Sequence, residues 1–519
     1  MRKLVRFIFS RYFLSAIMIL LSIAGLFFFI FVAYNYSIYI YLFMMLLNLA
    51  VVVSLINLDT NPEYKIPWLV ITIAVPIFGA VICVLFYARR LTKKEARLMR
   101  KIYDEYERAE NDSAASNASL SKNLSELSAI DELAGGKARA IITDDVTARV
   151  YTNTTSRYFS LGESLFEEML SDLRSAERYI FMEYFIVDEG ELWDKLYAVL
   201  KQKANSGVDV RLLYDDIGTM HTLTPKFPKK LESEGIRCMR FGRITPRVST
   251  VHHNRDHRKI CVVDGRIAYT GGVNIADEYI NRIDRFGHWK DGGVRIEGHA
   301  VQGFVKMFLS MWDFTAGRVS NYSEYFHNDF SHFPTDGGYY LPFGSGPNPT
   351  YPRHVGKNAF LNIINQSQRY LYITTPYLII DHAMTEALKC AAMRGVDVVI
   401  ITPSRADKKL VKIMTRSFYP TLIASGVRIY EYTPGFMHEK ILVSDDLYAV
   451  VGTINFDYRS FVHHFEDALW MYNTPTVNYI KGEFLKIVSV SEQMDEKNAR
   501  LTFSQRIAKD LIRIFAPLL

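Results

Sequence analysis

The sequence predicts an α/β protein: N-terminal transmembrane helices followed by two duplicated α/β sandwich halves that face one another. Three observations carry that expectation. Long apolar runs crowd the N-terminus, one short strand-like motif occurs twice, and the residues around it repeat with alternating strand-like and helix-like stretches.

The chain has 519 residues, about half of them apolar, with a net charge of +6, enough for two or three units. No Lys/Arg-rich block with interleaved aromatics stands out in the polar part, which argues against a nucleic-acid partner. Cys83, Cys238, Cys261 and Cys390 lie far apart, with no C-x-x-C and no metal-ligand spacing. They suit a reducing compartment and signal neither disulfides nor zinc.

Residues 1–90 read as a membrane anchor of two to three helices. Phe13 to Ala33, Ile38 to Leu58 and Trp68 to Phe86 each approach the roughly 20 residues that cross a bilayer, and are too many and too long for a cleaved signal peptide. Arg2, Lys3, Arg6 and Arg11 precede the first run, whereas Arg89, Arg90, Lys93, Lys94, Arg97, Arg100 and Lys101 follow the last. Three crossings cannot put both flanks in the cytoplasm; the larger cluster places the remainder of the chain there, with the first run starting outside or lying in the interface. A basic and polar segment at 91–136 follows, and Asp104 to Gly136 within it reads as a helical or flexible connector.

The remainder divides into halves at 137–340 and 341–519. Arg178-Tyr179-Ile180-Phe181 returns as Arg369-Tyr370-Leu371-Tyr372, Gly207-Val208-Asp209-Val210 as Gly395-Val396-Asp397-Val398, and Gly235-Ile236-Arg237 as Gly426-Val427-Arg428. Strand-like Ile180 to Val187, amphipathic Leu192 to Asn205 and strand-like Val208 to Tyr214 set the alternation expected of a partly parallel sheet.

Within the repeat, His257-Arg-Lys259-Ile-Cys-Val-Val-Asp264 and His438-Glu-Lys440-Ile-Leu-Val-Ser-Asp445 both read H-x-K-x4-D. Each is followed by Gly-x-x-Asn, ending at Asn274 and Asn455. A single such strand is a buried histidine beside a surface lysine; two with matching tails are not accidental. Alternation in both copies predicts a strand that puts His and Lys on one face. The imidazole can be nucleophile or proton donor, the ammonium can hold a phosphate oxygen, and the amide can hydrogen-bond the same group.

These motifs resemble the phospholipase D superfamily, and more narrowly the bacterial cardiolipin synthases. The narrower resemblance rests on Asn61-Pro62-Glu63, Ile66-Pro67-Trp68, Gly271 to Tyr279, His288-Trp289-Lys290-Asp291, Asn455 to Phe461 and Pro517-Leu518-Leu519. Lys290 departs from the family's usual Arg without changing the charge. The resemblance implies two phospholipase D-like α/β/α sandwich domains packed as a pseudo-dimer. It also implies transfer of a phosphatidyl group between two phosphatidylglycerol molecules in the bilayer, through a phosphohistidine, with no metal and no cofactor. The catalytic set it implies is His257, Lys259, Asp264, His438, Lys440 and Asp445, with His257 as nucleophile and His438 as acid/base. Asn274 and Asn455 would bind the phosphate, and Asp291 and Glu466 would orient the histidines. Asp264 and Asp445, at the far ends of their strands, favour a structural part despite their place in the motif.

His252, His253, His463 and His464 lack ligand partners at sequence spacing and read as polar loop or strand residues. The stretch from Ser504 reads as an amphipathic helix docked on the protein, contact with an anionic membrane being the weaker reading. A membrane-anchored hydrolase or nuclease of the same superfamily is the competing expectation, and a scaffold that kept the fold without activity is a further one. Oligomeric state is left open.

Overall fold

A computed structural model describes residues 37–75, 78–87, 93–112, 114–243, 254–325, 332–347, 350–351 and 353–518, with residues 20, 23, 24 and 27. The chain forms two compact units, one chiefly from residues up to 89 and one from residue 90 onward.

The first unit contains α1 (Ser37–Asn57), α2 (Pro62–Ala74) and α3 (Gly79–Tyr87). Ile38–Asn57 is the one helix among the described residues long and apolar enough to cross a bilayer. Phe43, Leu46 and Leu49 on it are exposed. The run from Trp68 to Phe86, expected as one crossing, is instead two helices of 13 and 9 residues. Pro76 lies between them, and proline removes a helix donor and clashes with the preceding turn. Leu55, Trp68 and Cys83 pack together, and Asn48 Oδ1 accepts the Ala80 N–H at 2.9 Å. Most of the Phe13 to Ala33 run, and the basic residues at positions 2–11, 89 and 90, lie outside the described residues.

In the second unit the described residues of the expected connector lie almost entirely in three helices: α4 (Lys93–Asp112), α5 (Ala114–Ile130) and α6 (Glu132–Asp144). It is not a free linker. Glu110 forms a buried ion pair with Lys306 at 2.6 Å, and Ile102, Leu127 and Ala138 are fully buried.

The repeated residues build matching sheets. The first contains β1 (Thr154–Phe159), β2 (Tyr179–Tyr184), β3 (Asp209–Asp215), β4 (Arg237–Phe241), β5 (Lys259–Val263), β6 (Ile267–Gly271) and, beyond the short β7 (His288–Lys290), β8 (Gly293–Gly298). Its spatial order is β1-β8-β6-β5-β2-β3-β4. The second half supplies β9 (Tyr339–Ser345), β10 (Tyr370–Thr374), the short β11 (Leu378–Ile379), β12 (Asp397–Pro403), β13 (Arg428–Tyr432) and the short β14 (Gly435–Met437). It continues with β15 (Ile441–Ser444), β16 (Tyr448–Gly452), the short β17 (Phe456–Asp457), β18 (Glu466–Tyr472) and β19 (Ser491–Met494). Its order is β9-β18-β16-β15-β10-β12-β13-β19, so the first seven positions repeat the other sheet strand for strand. In both, the central strands run parallel to their neighbours on one side and antiparallel to the motif strand on the other.

These central strands read as continuous apolar runs because both faces are covered. Every residue of β2, β5, β10 and β15 is buried. Crossover helices supply the covering layers; α7 (Glu191–Asn205), between β2 and β3, buries Leu192, Trp193, Leu196, Val199 and Leu200. That spacing puts one apolar stripe toward the sheet.

Candidate active site

Each motif histidine stands just outside its strand. β5 begins at Lys259 and β15 at Ile441, so the strand expected to hold both His and Lys starts later than the alternation suggests. The histidines are held instead by the opposite half. The His257 N–H donates to Phe465 O, and the His438 N–H donates to Lys290 O, both at 2.8 Å. The second contact continues the parallel pairing of β14 with β7, in which Met437 faces Lys290. The residue after each accepting carbonyl is the carboxylate that meets the ring.

His257 Nδ1 lies 2.9 Å from Glu466 Oε2, and His438 Nδ1 lies 2.5 Å from Asp291 Oδ2. An ionised carboxylate only accepts, so such a pair puts the proton on Nδ1 and leaves the lone pair on Nε2. The carboxylates are seated differently. Asp291 fits because residue 272 is glycine: a Cβ there would collide with the carboxylate. The corresponding Thr453 donates its hydroxyl to Glu466.

Electrostatics separate the pairs further. Burial, then Lys259, drive the His257 imidazole well below its ordinary value, and burial pushes Glu466 well up. Burial, then Lys440, hold His438 down at about 4, against the opposing pull of Asp291. Burial would raise Asp291, but His438 and Lys440 outweigh it and hold its carboxyl below the usual range.

Lys259 Nζ donates to His257 O at 2.6 Å, and Lys440 Nζ donates to His438 O. Burial lowers the two ammoniums to about 8 and about 7, respectively. Lys259 depresses Lys440 as well. Two desolvated cations in one site are short of negative charge, and an anion bound between them favours their protonated forms.

Asn274 is committed internally: its Oδ1 accepts the Ile186 N–H and its Nδ2 donates to the Tyr279 hydroxyl. Asn455 differs, with a buried Oδ1 that no donor among the described residues meets. Asp264 and Asp445 are remote from the rings. Asp264 accepts the backbone N–H groups of Glu177, Arg178 and Tyr179, and Asp445 those of Gln368, Arg369 and Tyr370. Their carboxylates tie the motif strand to the start of the central one.

The walls are aromatic. Phe185 meets His257 edge-on at 5.1 Å, while Tyr279, Trp289 and Phe436 lie 5.5, 5.3 and 5.8 Å from His438. His464 joins them, its ring 5.5 Å from that of His257. Reading it as a polar loop or strand residue missed this because its partner is distant in sequence. The available signal was its position two residues before Glu466, which in extended chain shares a face. His463 instead contacts Pro517 O at 3.0 Å, and His252 and His253 lie outside the described residues.

Comparison with known proteins bears on this geometry. The family described as "Cardiolipin synthase, PLD-like domain" matches residues 169–312 and 360–488, and "Phospholipase_D-nuclease N-terminal" matches residues 46–86. A cardiolipin synthase from Geobacillus sp. (strain WCH70) is 32% identical over 477 residues, 91% of each chain. One from Clostridium perfringens is 31% identical over 475 residues, covering 88% of this chain and 95% of that one. An uncharacterised Streptococcus mutans protein is 44% identical over 371 residues, 71% of this chain and 80% of its own. Among solved structures, the phosphatidylserine synthase of Haemophilus influenzae Rd KW20 superposes with a TM-score of 0.55 at 16% identity, covering 73% of this chain and 97% of that one, a likeness of fold. Two matched segments, one on each half of the repeat, and full-length relatives above 30% identity establish that the chain belongs to the bacterial cardiolipin synthases of the phospholipase D-like family.

Proposed function

We propose that the chain is a membrane-bound phosphatidyltransferase that moves a phosphatidyl group from one phosphatidylglycerol to the terminal hydroxyl of a second, releasing glycerol and forming cardiolipin. The observation that carries this reading is the crossed pairing of His257 with Glu466 and His438 with Asp291, with two buried lysines beside them.

In the first step His257 Nε2 attacks phosphorus, and the bond to the departing glycerol oxygen breaks as His438 gives that oxygen a proton. In the second, the hydroxyl of the other lipid gives its proton to His438 while its oxygen attacks phosphorus and the P–N bond breaks. Lys259 and Lys440 hold the non-bridging oxygens, with the Asn455 amide Nδ2–H as a further donor to them. His438 is neutral in the empty site; the phosphodiester's charge raises its affinity for the proton it must deliver. The reverse assignment of nucleophile and acid draws support from the ionised Asp291, which best fixes the Nδ1–H tautomer of His438.

The two halves, 137–340 and 341–519, form a pseudo-dimer sharing one site on this reading. Residues 1–90 are a multi-pass anchor, and 91–136 is a segment basic at its start and polar beyond, with the body on the cytoplasmic side. Labelled phosphatidylglycerol supplied in vesicles tests the reaction. Cardiolipin and glycerol are expected; phosphatidic acid without cardiolipin would show water to be the acceptor and sink the transferase. Phosphate label trapped on His257 is expected, and label on His438 would reverse the two roles.

A further inference from the structure

We infer that His257, His464 and Glu466 form an inhibitory site for a divalent transition ion of the zinc class. One ligand atom from each of the three lies within 4.8 Å of the others. Glu466 stands between the rings, with His257 Nδ1 2.9 Å from one oxygen and His464 Nδ1 3.8 Å from the other. His464 is only 7% exposed, and among the described residues neither of its ring nitrogens has a hydrogen-bond partner. A buried polar group left unpaired costs free energy, which a ligand on it removes.

The donor set selects the ion. Two imidazoles and one carboxylate suit zinc, with a fourth position open, whereas magnesium and calcium prefer all-oxygen shells. Tetrahedral zinc at its usual bond lengths separates donor atoms by roughly 3.4 Å, so modest side-chain movement closes the present spacing. Lys259 and Lys440 oppose a cation, which makes the ion exchangeable rather than structural. A neutral imidazole has a single lone pair. Whichever nitrogen of His257 binds the ion, none remains to attack phosphorus or accept a proton. Inhibition therefore rests on the transfer chemistry proposed above; binding itself does not.

The full chain in detergent, dialysed against Zn²⁺, is expected to retain one zinc more than His464→Asn does. X-ray absorption on the wild-type zinc complex is expected to show two imidazole ligands, a result that does not depend on a variant folding. Equal zinc in the two chains, or a spectrum without imidazole scattering, overturns the site. In the transfer assay, zinc is expected to slow the reaction reversibly, a chelator to restore it, and His464→Asn to need at least about tenfold more zinc for half-inhibition of its own zinc-free rate. Undiminished transfer with zinc present also overturns the inference. Zinc bound through these imidazoles in a chain that makes no cardiolipin would overturn the proposed function and leave the metal site standing.

Discussion

The two histidines look interchangeable in the motif, yet their carboxylates do not. Asp291 is held ionised by His438 and Lys440, whereas burial pushes Glu466 toward its neutral form. An amide mimics a neutral carboxyl far better than a carboxylate, so Glu466→Gln is expected to retain more activity than Asp291→Asn. The Asp291→Asn loss in kcat is expected to be about 10²–10⁴-fold, as for other groups that set an imidazole tautomer. Equal kinetic losses, with both variants folded, would refute this division. A pH profile reads the lysines. Burial lowers Lys440 to about 7 and Lys259 to about 8, so both ammoniums are present below that window and are lost as pH rises through it. kcat/KM, which reports the free enzyme, should fall on the alkaline side between about pH 7 and 8. Lys440→Arg, which keeps its charge, should remove the lower inflection; an unchanged profile would show that Lys440 does not carry it.

At the scale of elements, Asp264 and Asp445 show how a motif residue can serve the fold. Each sits in the left-handed region, at φ 53° and 59°, just past its strand. From there one carboxylate collects three amide donors that would otherwise be stranded. Asp264→Ala is expected to destabilise the body by about 2–4 kcal/mol, because buried donors stripped of an acceptor lose more than an average hydrogen bond. Chemical denaturation would measure it. Abolished turnover at full stability would mean that the aspartate acts in the reaction itself.

The duplicated motif and the strand alternation were legible in the sequence, because each is a local pattern that recurs; Asp291 and Glu466 were reached only through the family resemblance. His464 was not legible, since its contact with His257 spans 207 positions and exists only after the halves meet. The break between α2 and α3 was not read either, because the Trp68 to Phe86 run rests on its apolar composition alone. The C-terminal helix α8 (Phe503–Phe515) shows the reverse. Its amphipathic pattern and Thr502–Gln505 capping box are present, and it rests against the Lys409–Ile423 helix, with Arg513 5.7 Å over the Phe418 ring and Ile512 and Ile514 half-buried, while Phe503, Ile507 and Leu511 are exposed.

For the whole molecule, the consequential fact is that each half completes the other. The His257 ring and backbone are held by Glu466 and Phe465, and those of His438 by Asp291 and Lys290, all within one chain. On the proposed reaction, a site built this way needs no residue from another copy. Separate full-length chains carrying His257→Ala and His438→Ala should therefore both be inactive, and should stay inactive when mixed in shared vesicles. If the functional site were instead assembled between two chains, a mixture would contain pairings with both intact histidines, and cardiolipin synthesis would return. Mixing before reconstitution, with wild-type protein diluted by either variant as the control, separates the outcomes. Activity proportional to the wild-type fraction is expected from the intramolecular pairing; recovery in the variant mixture would contradict it.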